Sequence, residues 1–119
     1  MSSIRRLQVG KRLSEIAVHN GVAYLAGQVP TDASLDIEGQ TAQVLAAIDD
    51  LLASVGSDKT QILMAQIFLA NMSEFDGMNR AWDAWVPAGE APPRATVEAR
   101  LANPNLKVEI VIKAAAPQS

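Results

Sequence analysis

A chain of 119 residues suits one domain, residues 1–119, and at this length roughly two-thirds of the unfolded surface can be buried. With 49% hydrophobic and 19% charged residues the composition is that of a folded globular protein, and a net charge of −3 gives no long-range pull on phosphate backbones, so no nucleic-acid partner is expected. The lack of cysteine removes disulfides, thiol nucleophiles and thiolate-bound zinc, and His19 alone would have to serve as the base of any Ser-His-Asp triad. The N-terminal MSSIRRLQVGKR is no signal peptide, and no run approaches the roughly 18 apolar residues of a spanning helix, so a cytoplasmic protein with no membrane partner is expected.

Residues 4–9, IRRLQV, alternate loosely and suggest a short edge strand. Ser14–Val18 and Val22–Gly27 flank His19-Asn20-Gly21. Asn-Gly between two apolar runs predicts a hairpin, because both residues accept the positive φ of a type I′ turn. The polar residues 31–39, TDASLDIEG, read as a loop. Thr41, Val44, Leu45, Ile48, Leu51, Leu52 and Val55 then fall at helical spacing, and Gly56 supplies the stop.

After a turn at 57–60, residues 62–70, ILMAQIFLA, read as a strand that is apolar on both faces. Leu63, Ile67 and Leu69 share one side and Ile62, Met64 and Phe68 the other. A second helix is expected from Ser73, with Ser73 and Asp76 at capping-box spacing and Phe75, Met78, Trp82, Trp85 and Val86 as its buried stripe. Pro87 and Gly89 end it, and Glu90-Ala91-Pro92-Pro93 is a stiff extended approach to the next strand. That strand, 94–100, places Arg94, Thr96, Glu98 and Arg100 on one face. Asn103-Pro104-Asn105 turns the chain into a last strand, 106–114, whose Leu106, Val108, Ile110 and Ile112 alternate with Lys107, Glu109, Val111 and Lys113.

The expected order is strand hairpin, helix, strand, helix, strand hairpin: an α+β domain with a mixed β-sheet packed on two helices. Two helices cover one face of such a sheet. The strand at 62–70 is apolar on both, so a homo-oligomer is expected to bury the second face.

No phosphate-binding glycine loop, nucleophile elbow or metal-ligand spacing occurs. The residues left to carry chemistry are few. Arg94 opens a strand behind two prolines, which suits a bidentate receptor for a carboxylate. Glu109 lies mid-strand between apolar neighbours, where a carboxylate can act as a general base. Asn79 lies beside the apolar stripe of the second helix, and at Gly27 the bare backbone can approach a ligand closely. Each of these has a plainer reading as a surface arginine, a solvated glutamate, a helix-surface amide or a strand exit. None decides a function alone.

Together they resemble a known family. AGQVP at 26–30, GS at 56–57, IFLANMSEFDGMN at 67–79 and PPRATVEARLANPNLKVEI at 92–110 are similar, in that order and over nearly the whole chain, to the RidA or YjgF family of reactive intermediate deaminases. Arg12-Leu13-Ser14, the His19-Asn20 turn and the run MNRAWDAWV at 78–86 resemble its YoaB-like branch.

The resemblance implies a chorismate-mutase-like homotrimer, sheets inward and helices outside, with pockets at the subunit boundaries. The implied activity is hydrolysis of enamines and imines such as 2-aminoacrylate and 2-iminopropanoate to 2-keto acids and ammonia, without cofactor or metal. By the same resemblance Arg94 binds the substrate carboxylate and Glu109 positions the attacking water. Asn79 and Gly27 line the pocket, Thr96 stands where many members have cysteine, and Leu13 stands near where a pocket tyrosine is usual. The alternative is a trimer that binds small carboxylates without turnover. Action on RNA, also known in the family, is disfavoured by the charge, and a chaperone-like role would leave no mark in the sequence.

Overall fold

The computed structural model describes residues 3–117. Its strands are β1 (Arg5–Val9), β2 (Ser14–His19), β3 (Val22–Leu25), β4 (Ile62–Leu69), β5 (Arg94–Glu98) and β6 (Val108–Ala115). Its helices are α1 (Ile37–Ser54) and α2 (Phe75–Trp85). The strands form one mixed sheet in the order β1-β2-β3-β6-β4-β5, parallel only between β4 and β5. The α+β class read from the pattern is therefore correct.

The β2–β3 turn forms as Asn-Gly requires, with Asn20 at φ 53° and Gly21 at φ 77°. The connection from β3 through α1 to β4 steps across the sheet in the same direction as that from β4 through α2 to β5. Right-handed crossovers stepping the same way place both helices on one face. Beneath them lie Ile16, Val18, Ala23, Leu25, Ala65, Ile67, Leu69, Val108, Ile110 and Ile112, all buried against the inner stripes of α1 and α2.

Four expectations need correction. The helix α1 begins at Ile37, inside the predicted loop, because Asp36 caps it: its Oδ1 accepts the Gly39 N–H at 2.8 Å. Ser73 does not start α2. Asn71 Oδ1 captures the Ser73 N–H at 2.9 Å first, making a 3₁₀ turn over Met72–Glu74, and α2 starts at Phe75 without a side-chain cap.

The strands β5 and β6 are not a hairpin: β6 lies between β3 and β4, and β5 pairs with the far edge of β4. Every second residue of β6 is fully buried, which suits a central strand better than an edge. Finally, the β4–β6 register shifts between Ile62 and Met64, a bulge that inserts Leu63 and breaks the alternation. Leu63 is consequently 48% exposed and not beside buried Ile67.

The end of α1 is a Schellman closure, with the Gly56 N–H on the Ala53 carbonyl at 3.1 Å and the Ser57 N–H on the Leu52 carbonyl at 2.9 Å. Gly56 has φ 73°, which only glycine adopts cheaply.

A buried amide, Gln40, ties the two long loops together. Its Nε2 donates to the carbonyls of Ala33, Leu35 and Asn105 at 3.2, 3.1 and 3.4 Å, and its Oε1 accepts the Lys107 N–H at 2.8 Å. Gln40→Leu keeps the volume but orphans these groups. These partners are only partly buried, so water recovers some of the loss, and we expect about 1–3 kcal/mol, visible as a Tm lowered by on the order of 5 °C. An unchanged melting curve would show that the loops hold without it.

Among the described residues nothing covers the sheet face opposite the helices. Tyr24 and Val97 are each 43% exposed there, beside half-buried Met64, Phe68 and Val111. No helix among the described residues is long and apolar enough to cross a membrane.

Candidate functional site

Arg94 is aimed by its register. The Ala65 N–H donates to the Pro93 carbonyl at 3.0 Å, pinning the entry to β5, and Arg94 pairs with Ala65, which is fully buried beneath the helices. Paired residues point to the same face, so the Arg94 side chain rises on the helix side. There it meets α2. Asn79 Oδ1 accepts from Arg94 Nη1 at 2.8 Å, and the Phe75 and Trp82 rings lie 5.8 and 5.2 Å from the guanidinium carbon, within cation–π reach.

Phe75, Asn79 and Trp82 are spaced i, i+4, i+7, one stripe of a helix. That spacing is the signal by which the two rings could have been found. From their apolar spacing alone they read as core residues. Thr96, two residues on and on the same face, pairs with Ile67, and its Oγ1 is buried without a hydrogen-bond partner.

Glu109 points the other way. It pairs with Phe68 on β6's uncovered side. Gly27 lies against it: a Cβ added there would overlap Glu109 Oε2 and come within 3.2 Å of its Cγ. This contact is held by a short bridge, with the Gln28 N–H on the Ile110 carbonyl at 2.8 Å and the Ile110 N–H on the Gln28 carbonyl at 3.0 Å. Gln28 Nε2 also donates to Glu15 Oε1 at 3.0 Å, which brings the start of β2 to this end of the sheet. Leu13, immediately before β2, is 56% exposed. Gln28 and Glu15 carry no sequence signal as site neighbours, because only strand pairing brings them together.

The six candidates thus form two groups. Arg94, Asn79 and Thr96 belong to the helix-covered face; Gly27 and Glu109, with Leu13 at the same end, belong to the open side. A twisted sheet separates the guanidinium from the carboxylate within one chain. A recess of about 660 Å³ at the end of β5, lined by residues such as Ala70, Arg100, Asn103 and Leu106, contains none of the six. Two carboxyls sit below their ordinary value, Asp32 through the Ser34 hydroxyl and Asp58 through the Thr60 hydroxyl. Both are exposed turn residues outside these groups. Among the described residues no cluster of three or more His, Cys, Asp or Glu could hold a metal.

The contact between Gly27 and Glu109 is testable. Gly27→Ala must push the far end of a flexible side chain aside, which costs little stability, so the fold should survive while the Glu109 carboxylate moves. In any reaction that uses Glu109 as its base, a displacement on the scale of 1 Å can lower turnover by about 100-fold, and we expect a loss approaching that with an unchanged melting temperature. Wild-type turnover of Gly27→Ala would show that the Glu109 position is not critical.

Residues 3–116 match the family model described as endoribonuclease L-PSP. A RutC family protein of Haemophilus ducreyi is 61% identical over 112 residues, 94% of this chain and 96% of that one. The RutC family protein YoaB of Escherichia coli is 50% identical over 113 residues, 95% and 98% of the two chains. A more distant relative, the chloroplastic reactive intermediate deaminase A of Arabidopsis thaliana, is 30% identical over 91 residues, 76% of this chain and 48% of that one. The crystal structure of NMB1025, a YjgF family protein of Neisseria meningitidis, superposes with a TM-score of 0.94 at 46% identity, covering 98% of each chain. With matches of this extent in both sequence and fold, the chain belongs to the RidA (YjgF) family.

Proposed function

We propose that this protein is a hydrolytic deaminase of small 2-imino and 2-enamino acids, acting as a homotrimer whose sites are shared between neighbouring copies. The observation that carries the reading is the split just described. A carboxylate receptor and a candidate base lie on opposite faces of one sheet, and the open face is apolar enough to seek a cover. A small substrate cannot reach both groups of one chain. It reaches both when the Glu109 end of one copy meets the Arg94 edge of the next.

The chemistry then needs little. Arg94 takes the substrate carboxylate in paired, charge-assisted hydrogen bonds. Water adds to the imine carbon as Glu109 accepts its proton, and the imine nitrogen gains a proton. The resulting 2-amino-2-hydroxy acid expels ammonia and leaves the 2-keto acid. One C–O bond forms, one C–N bond breaks, and no electrons leave the substrate, so no redox cofactor enters the balance. Imines hydrolyse readily in water, so a receptor and one base suffice. Thr96, Gly27 and Leu13 bound the pocket in this reading, and Leu13, apolar where a tyrosine is common, favours less polar imine side chains.

The experiment is direct. An amino-acid oxidase generates 2-iminopropanoate, and 2-keto acid release is followed with and without the protein. Acceleration at catalytic protein concentrations is expected. No acceleration, with stoichiometric binding of the 2-keto acid, would replace the deaminase by a metabolite binder using the same Arg94. Cleavage of RNA would point elsewhere, although a net charge of −3 offers poor ground for it.

A further inference from the structure

We propose that Asn79 and Trp82, with Phe75, are positioning residues that hold Arg94 ready for a carboxylate and act on substrate only through the guanidinium. The inference rests on the deaminase reading for its substrate but on separate observations for its geometry. Arginine has only donors, so the atom of Asn79 facing Nη1 at 2.8 Å is its acceptor Oδ1. That bond occupies one of five N–H groups. Four remain, enough for a bidentate carboxylate contact. Asn79 therefore fixes the rotation of the fork without competing for the anion.

The rings fix where the fork sits. Trp82 lies 5.2 Å from the guanidinium carbon and is only 5% exposed, so it supports the arginine and offers almost no surface to a ligand. It is itself braced. The Trp85 ring lies 5.3 Å away at 52°. Trp85 Nε1 donates to both Asp49 oxygens of α1 at 3.1 Å, and Lys59 Nζ donates to the Trp85 carbonyl at 2.7 Å. The cradle is thus anchored across both helices. A free arginine spreads over many rotamers, and ordering it in advance removes that cost from the binding step.

The test uses the intact protein and two readouts. Pyruvate affinity is measured by titration, and KM and kcat are measured with 2-iminopropanoate, for Asn79→Asp, Asn79→Leu, Trp82→Leu and Trp82→Phe. Each is made alone and on Arg94→Ala. Asn79→Asp keeps the shape but sets an anion beside the guanidinium, where it competes with the ligand. We expect pyruvate affinity to fall and KM to rise by about tenfold or more, with kcat within about threefold. Trp82→Leu should raise KM several-fold, and Trp82→Phe should recover most of it.

On Arg94→Ala none of the four should weaken binding further, because positioning residues lose their effect when the group they position is gone. Losses of equal size with and without Arg94 would overturn the proposal, since they would mark direct substrate contact or general damage. So would Asn79→Asp with wild-type affinity. A wild-type protein that binds pyruvate but turns over no imine would end the deaminase reading and leave the positioning claim to be decided by the titrations. A wild-type protein that does not bind pyruvate would overturn the claim itself.

Discussion

Mixing Arg94→Ala chains with Glu109→Gln chains should restore activity well above that of either parent. Alone, Arg94→Ala loses a bidentate contact made in ground and transition states. At roughly 1.5–3 kcal/mol per hydrogen bond to a charged group, kcat/KM should fall by about 10–100-fold or more. Glu109→Gln keeps the shape but loses the base, and should cost about 100-fold in kcat with a smaller effect on affinity.

If each site takes Arg94 from one copy and Glu109 from the next, random reassembly gives both residues to about a quarter of the sites, a half times a half. Unfolding and refolding the two variants together should therefore yield about a quarter of the wild-type rate. A site built within one chain would recover nothing, because every chain lacks one group. If both single variants match the wild type with assembly intact, Arg94 and Glu109 are not the machinery.

The second large effect concerns the open face. Val111 lies on β6 between β3 and β4, half-buried and turned away from the helices. Val111→Asp leaves the helix-side core untouched but puts a charge, between Glu109 and Lys113 on the same face of β6, where a neighbouring copy would sit. A carboxylate desolvated in an interface costs several kcal/mol, and a trimer would meet that cost at each of its three contacts. We expect light scattering to change from trimer to monomer, imine hydrolysis to disappear, and far-ultraviolet circular dichroism to stay native. A trimeric, active Val111→Asp would show that this face is not the interface, and a monomeric wild type would remove the shared site.

Much of what short-range chemistry controls is legible in the sequence alone, although the caps at Asp36 and Asn71 are equally local and emerge only from the structure. Asn20-Gly21 makes its turn because those two residues tolerate positive φ wherever they stand. Gly56 ends α1 for the same reason. The alternation in β6 separates fully buried Val108, Ile110 and Ile112 from Glu109, Val111 and Lys113 without reference to any other strand. The family, too, was legible, because its motifs are short and ordered along the chain.

Tertiary structure decided what depends on partners far away in sequence. Whether β6 pairs with β5 or slips between β3 and β4 is settled by which strand can be buried, a property of the assembled sheet. The bulge at Leu63 follows from the β4–β6 register and has no local signal. Asn79 and Arg94 are 15 positions apart and meet only because the β4–α2–β5 crossover lays the helix over the strand's first residue. Most consequentially, the pattern marked Arg94 and Glu109 as strand residues with polar outlooks, but not on which side of the sheet each would lie. That side is fixed by the pairing of Arg94 with Ala65 and of Glu109 with Phe68, neighbours of opposite pleat on one strand. Because a strand alternates faces at every residue, a difference of three positions along β4 sends the two side chains to opposite faces.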